Sequence, residues 1–474
     1  MLAPAYLYGC ICAGLVATTL VIVIDRSSIQ MLKGLVSTGT SDGLSRLQRI
    51  YLSVYLSAMM ADWLQGPFVY ALYASYGFSR EDNATLFVAG FGSSALFGTF
   101  IGSMADKYGR RRFAALYCVL YFMSCLTKHF KSMFMLLIGR LTGGIATSLL
   151  FSVFDSWLVS EHNARGYSSE QLSGSFSIAF FGNSLVAIAA GEVGQFTADL
   201  VPLTPLVGSL HYGGYTWPFV AANCFLVLCL GLMISTWSEN FGQTAKEAAM
   251  EQTKDKGFMG AVNLVMAQPL ILWCGIVCSL FESSMFIFVF NWTPVLMKVG
   301  EPDPPFGHIF AGFMIFCMLG SRLFSMAVHS IPNERIGMYT LIVAALCHGS
   351  ILFVDSESIH LLAFFIFEMC VGIYFPMMGT MKGQIVPESK RSTIYNLYRV
   401  PLNAIVVLTL ILKLGEGISF MATTTMLCVA AFAQARIIKL GGARPVTLPA
   451  PTDEDKELVD QIGKSTEAPE EAEA

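Results

Sequence analysis

Thirteen apolar stretches, each close to the roughly 20 residues that a helix needs to cross the hydrocarbon core of a bilayer, follow one another between about residues 4 and 438. They are continuous runs, without the short alternating pattern of a membrane barrel. Lipid offers no partner to backbone N–H and C=O groups, so continuous runs of this length imply helices. A chain that is 54% hydrophobic and 13% charged is also too apolar to hold itself soluble around one core. The expected fold class is therefore an all-α polytopic membrane protein. A formal net charge of −4 over 474 residues supplies no basic field for nucleic acid.

The distribution of cations gives an orientation. If the linker after the first span and every second loop thereafter share one side, that side holds 21 of the 29 Lys and Arg, and the other side holds five. Arg140, Arg322 and Arg399 fall inside spans. The positive-inside pattern then places the amino terminus outside and the central loop and carboxyl terminus in the cytoplasm, with the plasma membrane as the expected location. Arg26, Lys33, Arg46 and Arg49 follow the first apolar run and no cation precedes it, so residues 1–24 read as a retained span.

Without that first span twelve remain, divided six and six by a polar stretch. The chain reads as an extra span and linker (1–49), a six-helix half (50–237), a cytoplasmic central loop (238–269), a second six-helix half (270–438) and a disordered acidic tail (439–474). Internal likeness suggests duplication. Asp62 and Glu282 each lie about twelve residues into the first span of a half, and each is followed by a Trp and a Pro: Trp63 and Pro67, Trp292 and Pro294. Asn183 and Asn403 open similar strings in the fifth spans. Repeats of this kind place a solute site between the halves, near the bilayer midplane. No phosphate-binding Gly-Lys-Ser/Thr loop, metal-ligand spacing or nucleophile constellation is present, so no cofactor, metal or enzymatic activity is expected, and no obligate protein partner is inferred.

Two strings carry a resemblance. Gly102-Ser-Met-Ala-Asp106-Lys-Tyr-Gly109-Arg110-Arg111-Arg112 resembles the signature loop of the major facilitator superfamily, and Ile138-Gly-Arg140-Leu-Thr-Gly143-Gly144 resembles its second motif. The resemblance implies the major facilitator fold, with two pseudo-symmetric six-helix halves, and it implies that Asp106, Gly109 and Arg110 latch neighbouring helix ends and hold one access state. Asp155 is the expected partner of that latch. Narrower strings, Ala61-Asp62-Trp63-Leu-Gln65-Gly66-Pro67, Phe281-Glu282-Ser283, Trp292-Thr-Pro294, Gly372-Ile-Tyr374-Phe-Pro376 and Arg399-Val-Pro401-Leu402, resemble the molybdate-anion transporter family. That implies uptake of a tetrahedral dianion by alternating access. A carrier of this fold for sulfate, a sugar or an organic ion, or a receptor that binds without transporting, would show the same signature strings.

An Arg within a span costs about 2.5–3.5 kcal/mol on insertion scales and persists where a partner, a wet cavity or a solute receives it. Arg399 and Arg140 are the candidate oxyanion ligands, because a guanidinium presents forked donors and keeps its charge. Asn183, Asn403 and Trp63 are the candidate polar lining. Asp62, Glu282 and Glu368 are candidates for proton coupling or for ion pairs with the arginines. Arg322 reads as a gate residue or one that snorkels to the surface, and Gly98-x-x-x-Gly102 reads as a close helix contact.

Overall fold

The computed structural model describes residues 3–24, 43–98, 100–242, 254–299, 304–387 and 391–442. The linker cations Arg26 and Lys33, and the acidic tail beyond residue 442, lie outside the described residues. The described chain is helical almost throughout. A helix, α1 (Ala3–Ile24), precedes the first half. That half comprises α2 (Gly43–Trp63), α3 (Val69–Ser75), α4 (Arg80–Gly98), α5 (Ile101–Tyr108), α6 (Arg110–Thr127), α7 (Met133–Ala164), α8 (Ser169–Asp199) and α9 (Trp217–Thr236). The second comprises α10 (Lys254–Ala267), α11 (Pro269–Val299), α12 (Phe306–Ala327), α13 (Asn333–Phe353), α14 (Glu357–Ile385), α15 (Arg391–Ile411) and α16 (Glu416–Lys439).

Among the described residues ten helices are long and apolar enough to cross a membrane. The helices α2, α4 and α6 stand where three more spans are expected and are more polar: Arg46, Arg49 and Asp62 lie in the first, Arg80, Glu81 and Asp82 open the second, and Arg110, Arg111 and Arg112 open the third. Two stretches expected as loops hold structure. Helix α10 lies within the central loop, and a hairpin of β1 (Thr204–Val207) and β2 (Leu210–Tyr212) joins α8 to α9.

The helix pairings repeat. In the first half α2 packs on α8 and α9, and α7 on α4 and α6; in the second, α11 packs on α15 and α16, and α14 on α12 and α13. Between halves, α8 meets α12 and α4 meets α15, which is the same pairing seen from either side. A twofold-related pair of bundles follows, with α1 outside the repeat. Its inner stripe, Leu7, Ile11, Gly14 and Thr18, recurs at helical spacing and faces α12 and α14 of the second half.

Lipid provides no hydrophobic drive between helices, so contact depends on close backbone approach. Gly320 and Gly372 provide it where α12 crosses α14: a Cβ on either would come within 2.0 Å of the Met369 carbonyl or 1.9 Å of the Cys317 carbonyl. Gly98 and Gly102 do not act this way, because the chain leaves α4 after Gly98 and starts α5 at Ile101, and a Cβ on Gly102 would meet nothing within 4 Å. A break of a different kind interrupts the first core span. Pro67 lacks an N–H and cannot continue the helix, so a 3-10 turn at Gly66–Phe68 separates α2 from α3, and the Gln65 amide donates to the carbonyl of Ala61 at 3.0 Å. Asp62 and Trp63 thus sit beside a helix break within the membrane, where backbone and side-chain polarity can face a cavity.

Replacing Gly320 by Val is expected to cost at least about 1–3 kcal/mol, because a backbone carbonyl cannot move aside for the added methyls. Thermal unfolding in detergent, followed by size-exclusion chromatography, checks this. Gly379→Ala, at a helical glycine with open space around it, should leave the midpoint unchanged.

Candidate functional site

The signature loop marks one face of the bundle, here termed the motif face, and Arg80, the β-hairpin and Glu416 mark the opposite face. At the motif face Gly109 has φ +113°, a conformation that L side chains rarely adopt, and a Cβ there would meet the Glu239 carboxylate at 2.7 Å. Arg110 folds back onto Asp106 at 2.7 Å and donates to the Ser156 carbonyl at 3.1 Å. The segment after α9 closes over the loop: Arg110 N–H donates to Asn240 O, Gly242 N–H to Asp106 O, and Arg111 N–H to the Glu239 carboxylate. Trp237 stacks on Trp157 with centroids 3.9 Å apart. The latch expected at Asp155 is therefore made to its neighbour's main chain. The Asp155 carboxylate instead receives the Tyr51 hydroxyl of α2 at 2.9 Å.

At the opposite face the halves are clamped. Arg80 reaches from α4 to Glu416 at 2.5 Å, to Asn291 Oδ1 at 2.6 Å and to the Leu414 carbonyl at 2.9 Å. Across the other seam Gln195 of α8 accepts from Gly307 N–H at 2.8 Å, and His308 meets Glu192 at 3.0 Å. Gly191 and Gly307 let the two backbones touch there, since a Cβ on either would fall within 2.6 Å of the other's carbonyl. Below the clamp an aromatic seam continues towards the middle of the bundle: Tyr70 and Phe87 on Phe290, Phe91 on Phe286, and Trp63 on Phe310, with centroids 5.1–5.7 Å apart.

The mid-membrane candidates lie on both sides of this seam. Trp63 donates to Asn183 Oδ1 at 2.8 Å, and Asp62 accepts from Tyr121 at 2.5 Å. In the second half Glu282 accepts from the Cys278 thiol at 3.0 Å and from Tyr374 at 3.2 Å. Glu368 is buried within α14, and Asn403 is half-buried on α15. Asp62 and Glu282 thus occupy matching places in the repeat and hold different phenols.

The two arginines lie apart. Arg140 is seven residues into α7 from the opposite face, about 10 Å deep at 1.5 Å per residue. Its Nε donates to the Leu86 carbonyl at 3.0 Å and its guanidinium lies 4.4 Å from the centroid of Phe87, in room left by Gly90. Arg399 is eight residues into α15 from the motif face, about 12 Å deep. It is exposed, although Val406 and Leu410, on the same helical face at i+7 and i+11, are buried. The side of α15 that packs against protein near the opposite face is therefore uncovered at Arg399. Among the described residues no carboxylate lies within 4.0 Å of Arg140 or Arg399, so neither ion pair with an intramembrane acid is formed. Arg322 lies over Phe181 at 5.3 Å, within the contact of α12 with α8. Arg80, the Gly191–Gly307 contact and the aromatic seam join the halves towards the opposite face, and Arg399 stands exposed nearer the motif face.

Sequence reasoning missed Arg80 and Glu416, which sit at span ends and look like ordinary interfacial charges. It also missed Lys382. The span was read as ending near residue 380, but α14 runs to Ile385, and the Lys382 ammonium turns inward to 3.9 Å from Cys278 Sγ.

Residues 7–358 match a family described as sugar transporters with 12 transmembrane segments. The chain is 31% identical over 407 residues to the molybdate-anion transporter of Takifugu rubripes, covering 80% of this chain and 82% of that protein. It is 33% identical over 369 residues to that of Xenopus tropicalis, covering 76% and 77%, and 29% identical over 446 residues to that of Danio rerio, covering 88% and 89%. Among solved structures it is similar to a bacterial homologue of the human lysosomal transporter Spinster in an inward-facing, occupied conformation, with TM-score 0.65 at 14% identity over 87% of this chain and 100% of that one. The D-xylose-proton symporter matches with TM-score 0.61 at 13% identity, over 81% and 95%. These two likenesses concern the fold.

If the Arg80 contacts hold the opposite face shut, Arg80→Gln should expose the cavity behind it, which Ala84, Asn291 and Ser419 line. In a background without the exposed Cys12, Cys224 and Cys428, a Ser419→Cys probe is expected to react several-fold faster with an impermeant maleimide applied from that face. Unchanged labelling would show that the clamp is held elsewhere.

Proposed function

The chain belongs to the molybdate-anion transporter family of the major facilitator superfamily and is a secondary transporter, not an enzyme, and we propose that it carries molybdate into the cell across the plasma membrane, with Arg399 as the principal ligand. The observation that carries this reading is Arg399 itself: a permanent cation, exposed within a span, with no carboxylate within 4.0 Å among the described residues. A tetrahedral dianion with acceptor oxygens on every side matches a forked guanidinium. The cation bias of the loops supports the motif face as cytoplasmic, the amino terminus as outside and the carboxyl terminus as cytoplasmic. On this orientation Arg399 stands towards the cytoplasmic side and Arg140 towards the outer side.

Alternating access gives Arg140 a separate role. It lies beneath the aromatic seam on the closed side and touches Phe87, whose ring packs on Phe290 of the other half. Parting of that seam would bring the guanidinium to the outer solution, where it would receive the anion first. Trp63, Asn183 and Asn403 line the path between the two arginines at mid-depth. Asp62 and Glu282, set against phenol hydroxyls at matching depth, are the groups we assign to proton coupling. A proton taken up with the dianion lowers the charge that the occupied cavity must carry through a region of low dielectric. Asp106, Gly109, Arg110 and Asp155 serve the cytoplasmic gate, and Glu368 has a place in the second bundle away from the seam.

Cells lacking their own carrier should take up molybdate saturably when they express this protein, with little inhibition by excess sulfate. Loss of a charge-assisted contact worth about 1.5–3 kcal/mol predicts that Arg399→Ala raises KM more than about tenfold at equal surface abundance. No uptake by the surface-expressed protein would move the reading to another solute. Uptake into proteoliposomes should rise with an inward proton gradient and lose that response in Asp62→Asn or Glu282→Gln; uptake indifferent to the gradient in the unaltered protein would remove the coupling role.

A further inference from the structure

Lys382 occupies an unusual position for a lysine near the end of a membrane helix. Such a residue ordinarily extends its stem outwards and leaves the ammonium in water. Lys382 lies three residues before the motif-face end of α14, yet its side chain is half-buried and its ammonium points into the bundle. Side chains lean towards the amino terminus of their own helix, and α14 begins at the opposite face, so the lean carries the charge inwards. There it reaches 3.9 Å from Cys278 Sγ on α11 and 4.9 Å from the ring centroid of Tyr395 on α15. A thiol is a weak acceptor and a ring face accepts no directed hydrogen bond of ordinary strength, so most of the three ammonium donors are unspent. Among the described residues no carboxylate lies within 4.0 Å of it. The carboxylate of Glu282 is held on the far side of the same sulfur, at 3.0 Å from it.

Tyr395 connects this lysine to Arg399. Tyr395 and Arg399 are four residues apart on α15 and share a helical face, so a charge over Tyr395 is one turn from the Arg399 guanidinium. Two cations a helical turn apart, neither with a carboxylate within 4.0 Å among the described residues, repel one another, and an anion with acceptors on several sides relieves both. We infer that Lys382 and Arg399 form a two-cation subsite for a tetrahedral oxyanion at the motif-face end of the path, with the rings and thiol around Lys382 fixing where its ammonium stands. Lys382 is a binding residue in this account, and Tyr395 and Cys278 are positioning residues. The subsite rests on the anion-carrier reading above and extends it from one cation to a pair on adjacent helices. Glu282, held by the same thiol, makes no contact with Lys382 within 4.0 Å and leaves the ammonium donors to the anion.

The test uses the purified full-length protein, with molybdate, tungstate, sulfate and phosphate as probes. Thermal unfolding measures stabilisation by each anion, and proteoliposome uptake separates KM from maximal rate. Lys382→Gln is expected to raise the molybdate KM about tenfold or more with little change in maximal rate, and to lose most of the anion-dependent stabilisation. Lys382→Arg should recover most of both, and Cys278→Ser should shift KM less than about threefold. A side chain that only packs on Tyr395 predicts the opposite pattern, with Lys382→Met and Lys382→Gln altering thermal stability and leaving KM unchanged; that result overturns the proposal. For the case in which the substitutions fail to fold, the unaltered protein supplies a second readout. Saturating molybdate should slow acylation of Lys382 several-fold by mass spectrometry, and unchanged acylation overturns the subsite. If sulfate or phosphate but not molybdate stabilises and protects, the subsite stands and the molybdate reading falls. If no oxyanion does either, both fall.

Discussion

The cost of a cation in hydrocarbon orders the rest of this structure. An arginine within a span needs a partner, water or a solute, and the fold answers differently at each position. Arg140 is received by a backbone carbonyl and an aromatic face, Arg322 lies over a phenylalanine across the seam, and Arg399 is exposed. Among the described residues no carboxylate lies within 4.0 Å of Arg140 or Arg399. That leaves Asp62 and Glu282 with phenol and thiol donors, which hold a carboxylate in place without neutralising it. A permanent ion pair would have fixed the charges in one conformation. Weakly held charges of both signs, spread over two halves that part and rejoin, are what a carrier of an anion requires.

The two seams show how parting is compatible with stability. At the opposite face the halves meet through a few strong polar contacts, Arg80 with Glu416 and His308 with Glu192, together with glycines that let backbones touch. Within each half the contacts are continuous, and glycine crossings such as Gly320 and Gly372 draw α12 against α14. Separating the halves breaks a short list of polar contacts, an aromatic seam and the glycine contact of Gly191 with Gly307, whereas separating helices within a half would open packing along their length. Glu416 also has Lys298 of its own half at 3.9 Å, so it keeps a partner when Arg80 leaves. Helix α1 adds to one bundle alone, through a stripe of small and aliphatic residues that fits the groove between α12 and α14.

Much of this was legible in the sequence because membrane insertion is decided by local composition. Apolar runs near 20 residues imply helices, loop cations imply sidedness, and Pro67 beside Asp62 marks a helix break. The repeat was visible at Asp62 and Glu282, whose matching places the helix pairings share. Side-chain partners were not legible. Asp155 was assigned to the signature loop because the two lie on the same face, but Tyr51, distant in sequence, reaches it first. Arg140 and Arg399 were grouped as one pair of ligands because both lie within spans, yet they stand at opposite depths.

Lys382 marks the boundary between the two kinds of information. A hydropathy pattern ends where the first charge is met, so the sequence alone assigned this lysine to the loop and to the positive-inside bias. Its direction depends on the polarity of α14 and on the thiol and ring that α11 and α15 place around it. By itself the sequence determined that the chain crosses a membrane as helices and pointed to two halves, because local composition sets the free energy of each segment in lipid. The tertiary structure alone decided which charges meet and how the halves touch, because those follow from contacts between helices hundreds of residues apart, such as Arg80 with Glu416.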